Sequence, residues 1–282
     1  MTSILVFGRT GQVATELRTL ADVVALGRAE VDLSEPAACA AAIHGHRPHA
    51  VINAAAYTAV DRAEEEEALA TVINGDAPAA MAGACAALNI PLVHISTDYV
   101  FAGIGTRAWA PDDKTSPKNA YGRSKLAGEQ GIRAAGGTHA ILRTSWVFSA
   151  HGGNFVKTML RLSDSRDELR VVDNQIGGPT PASAIAAACL SIAQQLCDDP
   201  DKTGTFHFSG APDVSWCEFA RAIFAETGRT TRVSPIATRD YPTPAARPLN
   251  SRLNCQTTEQ VFGIPCPDCR TGLAETVREL EN

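Results

Sequence analysis

A tyrosine and a lysine four residues apart, Tyr121 and Lys125, have the types and spacing needed for proton transfer. Residues at positions i and i+4 share one face of a helix. A free phenol has a pKa of about 10 and gives up its proton reluctantly near neutral pH. An ammonium group beside it stabilises the phenolate and lowers that pKa. The pair therefore predicts general acid catalysis at a developing alkoxide, although a Tyr-x-x-x-Lys spacing also occurs by chance.

Hydroxyl groups suited to a substrate carbonyl follow an apolar segment. Ser96, Thr97 and Asp98 come directly after Val93–Ile95, which has the composition of a buried strand. Ligands of open α/β sheets bind at the carboxyl ends of strands. A hydroxyl at Ser96 or Thr97 is therefore expected to donate a hydrogen bond to a carbonyl oxygen as negative charge grows there.

A glycine-rich turn separates the first predicted strand from the first predicted helix. Residues 8–14 read Gly-Arg-Thr-Gly-Gln-Val-Ala, and Gly8, Thr10 and Gly11 would let backbone N–H groups approach a pyrophosphate. A tight turn without a ligand has the same pattern, but its position after the very first strand favours a dinucleotide site. Small residues after the third predicted strand, such as Ala54 and Ala55, would leave room for a flat cofactor.

The end of the second predicted strand bears on the choice of cofactor. A carboxylate there holds the ribose 2′-hydroxyl of NAD, whereas an arginine accepts the 2′-phosphate of NADP. Gly27 and Arg28 occupy this turn, with Arg9 in the glycine-rich turn as a second cation. The turn thus favours NADPH over NADH, while Glu30 and Asp32 lie close enough to serve NADH, and Arg28 as an ordinary surface arginine is an alternative.

Short apolar segments alternate with helical patterns in the first half of the chain. Predicted strands are Ile4–Phe7, Val23–Leu26, Ala50–Asn53, Pro91–Ser96 and Ala140–Arg143. Predicted helices are Gln12–Leu20, Pro36–Ile43, Glu64–Asn74, Ala77–Leu88 and Ala120–Ala134. Apolar strands separated by helices indicate a parallel sheet covered on both faces. The prediction is an α/β Rossmann-type doubly wound parallel sheet with a smaller C-terminal substrate-binding lobe.

The pattern loosens in the second half, which divides the chain into an NAD(P)-binding domain at 1–145 and a lobe at 146–282. That lobe is expected to bind mainly the substrate and to return some elements to the main sheet. Its predicted helices are Asn154–Leu162, Ser183–Leu196, Trp216–Thr227 and Thr271–Leu280, and residues 233–250 are expected to be irregular. The four glutamates at 64–67 are expected to form the solvated first turn of a helix.

The composition and the first residues of the chain indicate which partners, location and metal sites to expect. The 282 residues carry a formal net charge of -6, which argues against nucleic acid and anionic membranes as partners. The start of the chain reads as a strand and not as a signal peptide, so a cytoplasmic location is expected. Cys266 and Cys269 form one Cys-x-x-Cys without a second ligand pair, so no metal site is expected there.

Taken together, these motifs resemble the extended short-chain dehydrogenase/reductase family, and within it most closely the dTDP-4-dehydrorhamnose reductases. The resemblance covers nearly the whole chain and is most specific in Ser-Thr-Asp-Tyr-Val-Phe at 96–101, Tyr-x-x-Ser-Lys-Leu-x-Gly-Glu at 121–129 and Arg-Pro-x-Asn-Ser-Arg-Leu at 247–253. It implies reduction of the 4-keto group of dTDP-4-dehydro-L-rhamnose, with Thr97, Tyr121 and Lys125 as catalytic residues. It implies cofactor contacts from Gly11, Gln12, Val13, Asp32, Leu33, Ala56, Tyr57, Thr58, Tyr121 and Lys125.

The sugar nucleotide needs its own contacts, including positive charge for its diphosphate. The resemblance places Thr97, Asp98, Tyr99 and Trp146 at this ligand, and the matching segments add Asn154 and Gln175. The second half also offers Arg247, Asn250 and Arg252 after a proline-rich segment, and prolines would stiffen a loop that presents a guanidinium to phosphate oxygens. Alternatively, Arg252 pairs with a carboxylate and Trp146 belongs to the core.

Some members of the family dimerise through Mg²⁺ held by glutamates. Glu16 matches one such position, but Ser183 replaces another, so a monomer or weak homodimer is expected. Other functions share the fold. Reductases, epimerases and dehydratases of the same superfamily act on related sugar nucleotides and share Tyr-x-x-x-Lys, but a dehydratase would need an Asp-Glu pair, whereas Asp98 is followed by Tyr99. A non-catalytic NADP-binding regulatory subunit of methionine adenosyltransferase would not need Thr97, Tyr121 and Lys125.

Overall fold

The secondary structure of the chain is given by a computed structural model that describes residues 3–281. The strands are β1 (Ile4–Phe7), β2 (Val24–Leu26), β3 (Ala50–Asn53), β4 (Leu92–Thr97), β5 (His139–Thr144), β6 (Val147–Phe148), β7 (Glu168–Val172), β8 (Ile176–Gly177), β9 (Thr180–Pro181), β10 (Gly204–His207), β11 (Val214–Ser215), β12 (Arg232–Ile236) and β13 (Asn250–Ser251). The helices are α1 (Gln12–Leu20), α2 (Pro36–His46), α3 (Glu67–Thr71), α4 (Ala77–Leu88), α5 (Ala120–Ala135), α6 (Phe155–Ser163), α7 (Ala182–Asp198), α8 (Trp216–Glu226), α9 (Gln256–Phe262) and α10 (Cys269–Glu281).

The main sheet has the strand order β10-β5-β4-β3-β1-β2, and all of its strand pairs are parallel. One face packs against α1 and α7, and the other packs against α2 and α4. Strands that are buried on both faces are mostly apolar, as the sequence of β1 illustrates. The predicted doubly wound α/β fold is confirmed. Strand β2 lies on one side of β1, and β3 lies on the other. The strand order therefore reverses direction at β1, and a crevice forms at such a switch point.

The second half contributes both to the sheet and to small satellite sheets. Strand β10 pairs with β5 and completes the edge of the main sheet. Strand β12 pairs in parallel with β7 and Asn250 begins β13, so the expectation that residues 233–250 are irregular is wrong at both ends of that range. Val233 is buried against α8, which gives this segment an apolar anchor. Pro235, two residues further along β12, lies in an edge strand, where the missing N–H of a proline is tolerated.

One predicted helix is broken in the structure. Residues 64–74 were expected to form a single helix, but they divide into the end of a 3-10 turn at Arg62–Glu64, the helix α3 and a π turn at Val72–Asp76. The side chain of Asn74 pairs with the backbone of Tyr57 in both directions, at 2.8 and 3.0 Å, and also donates to Ser124 Oγ. A π turn shifts side chains on the helix surface, and here it accompanies an inward-facing asparagine.

The acidic run at 64–67 is not a freely solvated turn. Glu64 accepts the N–H of Ala120, and Glu66 accepts the Tyr57 hydroxyl at 2.6 Å. Glu67 binds both the Nε and an Nη of Arg123 on α5. These contacts connect the start of α3 to the helix that carries Tyr121.

Within residues 3–281 no helix is both long enough and apolar enough to span a membrane.

Candidate active site

A cavity of about 750 Å³ opens at the carboxyl ends of β1, β3, β4 and β5. Most of the residues that the sequence predicted for the site line it. They are Gly8, Thr10, Gly11, Gln12, Val13, Arg28, Asp32, Leu33, Ala54, Ala55, Ala56, Tyr57, Thr58, Thr97, Asp98, Tyr99, Tyr121, Lys125 and Trp146. Residues far apart in the chain therefore share one space whose volume is in the range of small-molecule and cofactor sites.

The glycine-rich turn is built for close backbone approach. Gly8 has a φ of +117°, and a Cβ there would lie 3.2 Å from the Ala14 Cβ and 3.3 Å from the Ala54 carbonyl carbon. Only glycine adopts this conformation without strain. Gly11 precedes α1 and supplies no side-chain cap. Within the described part of the chain, the first N–H groups of α1 thus receive no side-chain cap, as a pyrophosphate site requires.

The turn after β2 contains both charges that distinguish the two nicotinamide cofactors. Glu30 accepts the Gly27 N–H at 2.9 Å and pairs with Arg9 at 2.6 Å. Arg28 pairs with Asp32 at 3.1 Å, and its side chain is 79% exposed. A carboxylate is therefore present beside Gly27 in space, that of Glu30, and its charge is paired with Arg9.

Tyr121 reaches the cavity because α5 packs unusually closely on the segment after β4. A Cβ on Gly122 would lie 2.3 Å from the Tyr99 carbonyl oxygen, so only glycine permits this contact. Asn119 caps α5 by accepting the Gly122 N–H at 2.7 Å. The Tyr121 ring packs edge-on against Tyr99, with centroids 5.6 Å apart. Burial raises the pKa of Tyr121 to about 12, and the hydroxyl of Thr97 opposes that rise.

Thr97 and Asp98 form a buried polar pair at the cavity wall. Thr97 Oγ1 donates to Asp98 Oδ1 at 3.1 Å and accepts the Tyr99 N–H at 3.2 Å. Among residues 3–281 no hydrogen bond of ordinary geometry reaches Asp98 Oδ2, although the buried hydroxyl of Ser251 lies close enough to lower the pKa of this carboxyl; burial outweighs that contact and raises the pKa to about 6. A buried acceptor beside a cavity and without a partner is suited to a ligand hydroxyl.

Ser96, the other hydroxyl donor considered from the sequence, is used elsewhere. Its Oγ donates to Glu129 Oε1 at 2.7 Å inside the protein. Successive side chains of a strand point to opposite faces, and the residue after it, Thr97, holds the position next to Tyr121. The choice between Ser96 and Thr97 therefore falls on Thr97.

Lys125 is almost completely buried, with 1% of its surface exposed. Its Nζ donates to the Ile95 carbonyl at 2.7 Å and lies 3.1 Å from His94 Nε2. Burial lowers the pKa of Lys125 to about 8 against the opposing field of Glu129. Asn53 in turn contacts His94 Nδ1 at 3.1 Å. Sequence reasoning missed His94 and Asn53 because a polar residue inside an apolar strand carries no periodic signal.

Two tryptophans form an aromatic wall. Trp146 and Trp216 stack with ring centroids 3.6 Å apart, and both line the cavity. Trp146 has a φ of +49°, and a Cβ on Gly177 would lie 3.0 Å from its ring. The sequence predicted Trp146 but not Trp216, which was interpreted only as the start of a helix. The alternative that Trp146 is purely a core residue does not fit its place in the cavity wall.

Five residues predicted for the sugar nucleotide do not line the cavity. Asn154 caps α6 and donates to Gln12 Oε1 at 2.9 Å, whereas Gln175 donates to Thr238 at 3.2 Å. Asn250 donates to the Arg107 carbonyl at 2.8 Å and accepts from Arg252 at 3.0 Å.

Arg247 is the fifth of these residues, and its guanidinium is neutralised by a carboxylate. It pairs with Asp61 at 2.7 Å, and its side chain is 19% exposed. All five residues make contacts with other protein groups, that of the Arg252 guanidinium being one hydrogen bond to the Asn250 amide oxygen, and their binding of the sugar nucleotide stays a prediction. The described cations that do line the cavity are Arg9, Arg28 and Lys125.

The glutamate expected to bind Mg²⁺ has an imidazole beside it. Glu16, His151 and Glu279 form a potential ligand group among residues 3–281, with His151 Nε2 3.6 Å from Glu16 and 3.3 Å from Glu279. Ser183 offers no carboxylate. Mg²⁺ prefers an all-oxygen octahedral shell, whereas imidazole suits zinc and other transition metals. The group does not fit Mg²⁺, and no step is assigned to a metal.

Comparison with known proteins agrees with this geometry. The family model of the RmlD substrate binding domain matches residues 1–282. A dTDP-4-dehydrorhamnose reductase of Sinorhizobium fredii is 44% identical and covers 94% of this chain and 93% of its own.

Two solved structures are equally informative. A dTDP-4-dehydrorhamnose reductase from Clostridium acetobutylicum has a TM-score of 0.92 and 34% identity, with 99% and 100% of the chains covered. One from Bacillus anthracis, in complex with NADP, has a TM-score of 0.91 and 33% identity, with 99% of each chain covered. The chain therefore belongs to the dTDP-4-dehydrorhamnose reductase family.

Proposed function

We propose that this oxidoreductase transfers a hydride from NAD(P)H to the 4-keto group of dTDP-4-dehydro-L-rhamnose and forms dTDP-L-rhamnose. The observation that carries the proposal is the meeting of Thr97, Tyr121 and the glycine-rich turn in one cavity at the switch point of the sheet. The names of the relatives support the choice of substrate.

The residues of the chain have distinct roles in this proposal. The nicotinamide supplies the hydride when it is bound. The free N–H groups at the start of α1 hold the pyrophosphate, and Gly8 keeps the backbone close to it. Tyr121 donates its phenolic proton to the substrate oxygen, and Thr97 turns its single O–H from Asp98 Oδ1 to donate a hydrogen bond to the same oxygen. Asp98 accepts a sugar hydroxyl with its unpaired Oδ2. Lys125 holds the nicotinamide ribose and supports the tyrosine.

We further propose a preference for NADPH. Arg9 and Arg28 flank the turn after β2, and the Bacillus anthracis relative binds NADP. A 2′-phosphate would compete with Glu30 and Asp32 for these guanidinium groups. The opposite preference would follow if Glu30 kept Arg9 and accepted the ribose 2′-hydroxyl instead.

The sugar nucleotide is proposed to enter along the wall formed by Trp146 and Trp216. On this proposal residues 1–145 bind the cofactor and residues 146–282 bind mainly the sugar nucleotide. Cavity-lining residues from the second part are Trp146, Val147, Gly152, Gly153 and Trp216. An aromatic wall offers a stacking surface to a sugar or a base. The diphosphate is not assigned to Arg247, whose charge is engaged by Asp61.

The test is the oxidation of reduced nicotinamide with dTDP-4-dehydrorhamnose prepared enzymatically. One equivalent of dTDP-rhamnose formed per NADPH consumed is expected. An epimerase would interconvert sugar nucleotides without net oxidation of the cofactor. A regulatory subunit would bind NADP and turn over nothing. Either result would refute the proposed reaction.

A further inference from the structure

Two histidines are buried in neighbouring parts of the main sheet, and their surroundings differ in one respect. His207 on β10 places Nδ1 3.0 Å from the Trp109 carbonyl and Nε2 3.4 Å from Arg143 Nη1. A carbonyl can only accept and a guanidinium can only donate. A neutral imidazole with its proton on Nδ1 satisfies both neighbours, so His207 has one consistent tautomer.

His94 on β4 has no such simple solution. The Ala55 N–H must donate, and it points to the Asn53 Oδ1 at 3.2 Å. This contact fixes the orientation of the amide, so that Asn53 Nδ2 faces His94 Nδ1 at 3.1 Å and donates to it. A neutral imidazole has one N–H. The proton of His94 is therefore on Nε2, directed at Lys125 Nζ 3.1 Å away.

The lysine can accept that hydrogen bond in one of its two protonation states. An ammonium group has three N–H donors and no lone pair, whereas the neutral amine has a lone pair that accepts. Burial favours the neutral amine, and the carboxylate that acts on Lys125 is Glu129 on α5. The charge of Glu129 is itself engaged by Arg143 on β5 and by Arg133 on α5.

We propose that Asn53 and His94 form a positioning pair that directs an N–H at Lys125 and stabilises its neutral amine, so that Lys125 exchanges its proton instead of remaining a permanent ammonium. The proposal rests on the proposed function. After Tyr121 has given its proton to the substrate oxygen, an N–H bond of the Lys125 ammonium breaks and releases its proton into the cavity that both residues line, and a proton from the cavity reforms the O–H bond of Tyr121. The amine lone pair then accepts the His94 Nε2–H, and solvent returns the proton through the cavity.

The competing arrangement has a different proton distribution. If the Asn53 amide were rotated, its Oδ1 would accept from a protonated His94 Nδ1, and a permanent Lys125 ammonium would donate to Nε2. The Ala55 N–H would then face the Asn53 amino group without an acceptor. The two arrangements are distinguished by the position of one proton on one ring.

The first test reads that proton directly in the wild-type protein without substrate. NMR of protein labelled with ¹⁵N and ¹³C in histidine separates the two neutral tautomers, and His94→Gln and His207→Gln assign the signals. The expected result is an Nε2–H tautomer for His94 and an Nδ1–H tautomer for His207. An Nδ1–H tautomer at His94 overturns the proposal, even if the enzyme proves to act on another substrate.

The second test is the pH profile of kcat/KM for keto-sugar reduction. His94→Gln removes the imidazole N–H from the amine of Lys125, so the alkaline limb is expected to move upward by about one pH unit. His207→Gln is the matched control and leaves that limb unchanged. A limb that does not move in His94→Gln overturns the proposal, whereas an inactive wild-type enzyme refutes the proposed function alone.

Discussion

Two buried polar clusters share β4 and α5, and they differ in whether their hydrogen bonds are complete. In the first cluster, Glu129 accepts Ser96 Oγ and Arg143 Nε with one oxygen and two further Nη groups with the other. Burial tends to raise the pKa of Glu129, but Arg143 and Ser96 hold it below its ordinary value. Every carboxylate lone pair that faces inward has a donor inside the protein.

The second cluster is open. Thr97, Asp98 and Tyr121 line the cavity, and Asp98 Oδ2 lacks a partner among residues 3–281. Burial raises the pKa of Asp98 to about 6, and it raises that of Tyr121 to about 12. A paired cluster stabilises the fold, whereas an open cluster retains polar atoms that a ligand can satisfy. Adjacent residues, Ser96 and Thr97, are divided between the two.

The largest effect is expected when the open cluster loses its proton donor, Tyr121. Tyr121→Phe removes the phenolic proton, and loss of a general acid costs about 10²–10⁴-fold in rate. We expect kcat to fall by this factor in steady-state assays, while titration calorimetry shows nearly unchanged NADPH affinity. A rate near that of the wild type would remove Tyr121 from the mechanism.

Disrupting the first cluster, which is centred on Glu129, should lower the stability of the fold and not the rate of the reaction. Glu129→Gln leaves the buried Arg143 without its counter-charge, which costs about 3–5 kcal/mol in the free energy of unfolding. Arg133→Ala is the control, because its side chain is 40% exposed and exposed ion pairs contribute at most about 1 kcal/mol. Urea unfolding measures both variants. Equal losses in the two would contradict the distinction between buried and exposed partners.

Replacing Asp98 should raise the stability of the fold, because burial of its charged carboxylate is unfavourable. Its pKa is raised from 3.8 to about 6 in the folded protein, so the folded state holds the proton to a higher pH than the unfolded chain. The free energy of unfolding therefore falls as the pH rises between these two values and is level above them. Asp98→Asn removes this dependence.

We expect Asp98→Asn to be more stable than the wild type by about 1–3 kcal/mol above that window. Near the lower end of the window the two proteins should be equally stable. Thermal unfolding as a function of pH gives the comparison, and kcat/KM of the variant should fall. A variant that is less stable than the wild type at alkaline pH would show that the carboxylate is well paired.

The smallest effect is expected at the exposed turn after β2. Arg28→Ala should raise the KM for NADPH about tenfold, as expected for the loss of one charge-assisted hydrogen bond of about 1.4 kcal/mol. The KM for NADH should stay nearly the same. If both values rise together, Arg28 acts on a part of the cofactor that the two share, and not on the 2′-phosphate.

The regular elements of the first half were largely predictable. The bounds of β1, β3, α1 and α4 in the structure are those predicted from the sequence. Their hydrophobic patterns are strong and local, because each strand is buried on both faces and each helix on one. The π turn before α4 was not predictable, since it accompanies contacts of Asn74 with residues 17 and 50 positions away.

The sequence by itself determined the features of the site that depend on residues close together in the chain. Tyr121 and Lys125 lie four residues apart on α5, and the glycine-rich turn lies between β1 and α1. Only the tertiary structure decided which distant side chains complete the site. Arg247 is held by Asp61, 186 residues away along the chain, and Trp216 is brought to Trp146. The cause is physical: local spacing controls the geometry of a single turn or helix, whereas burial and charge pairing depend on which elements pack together.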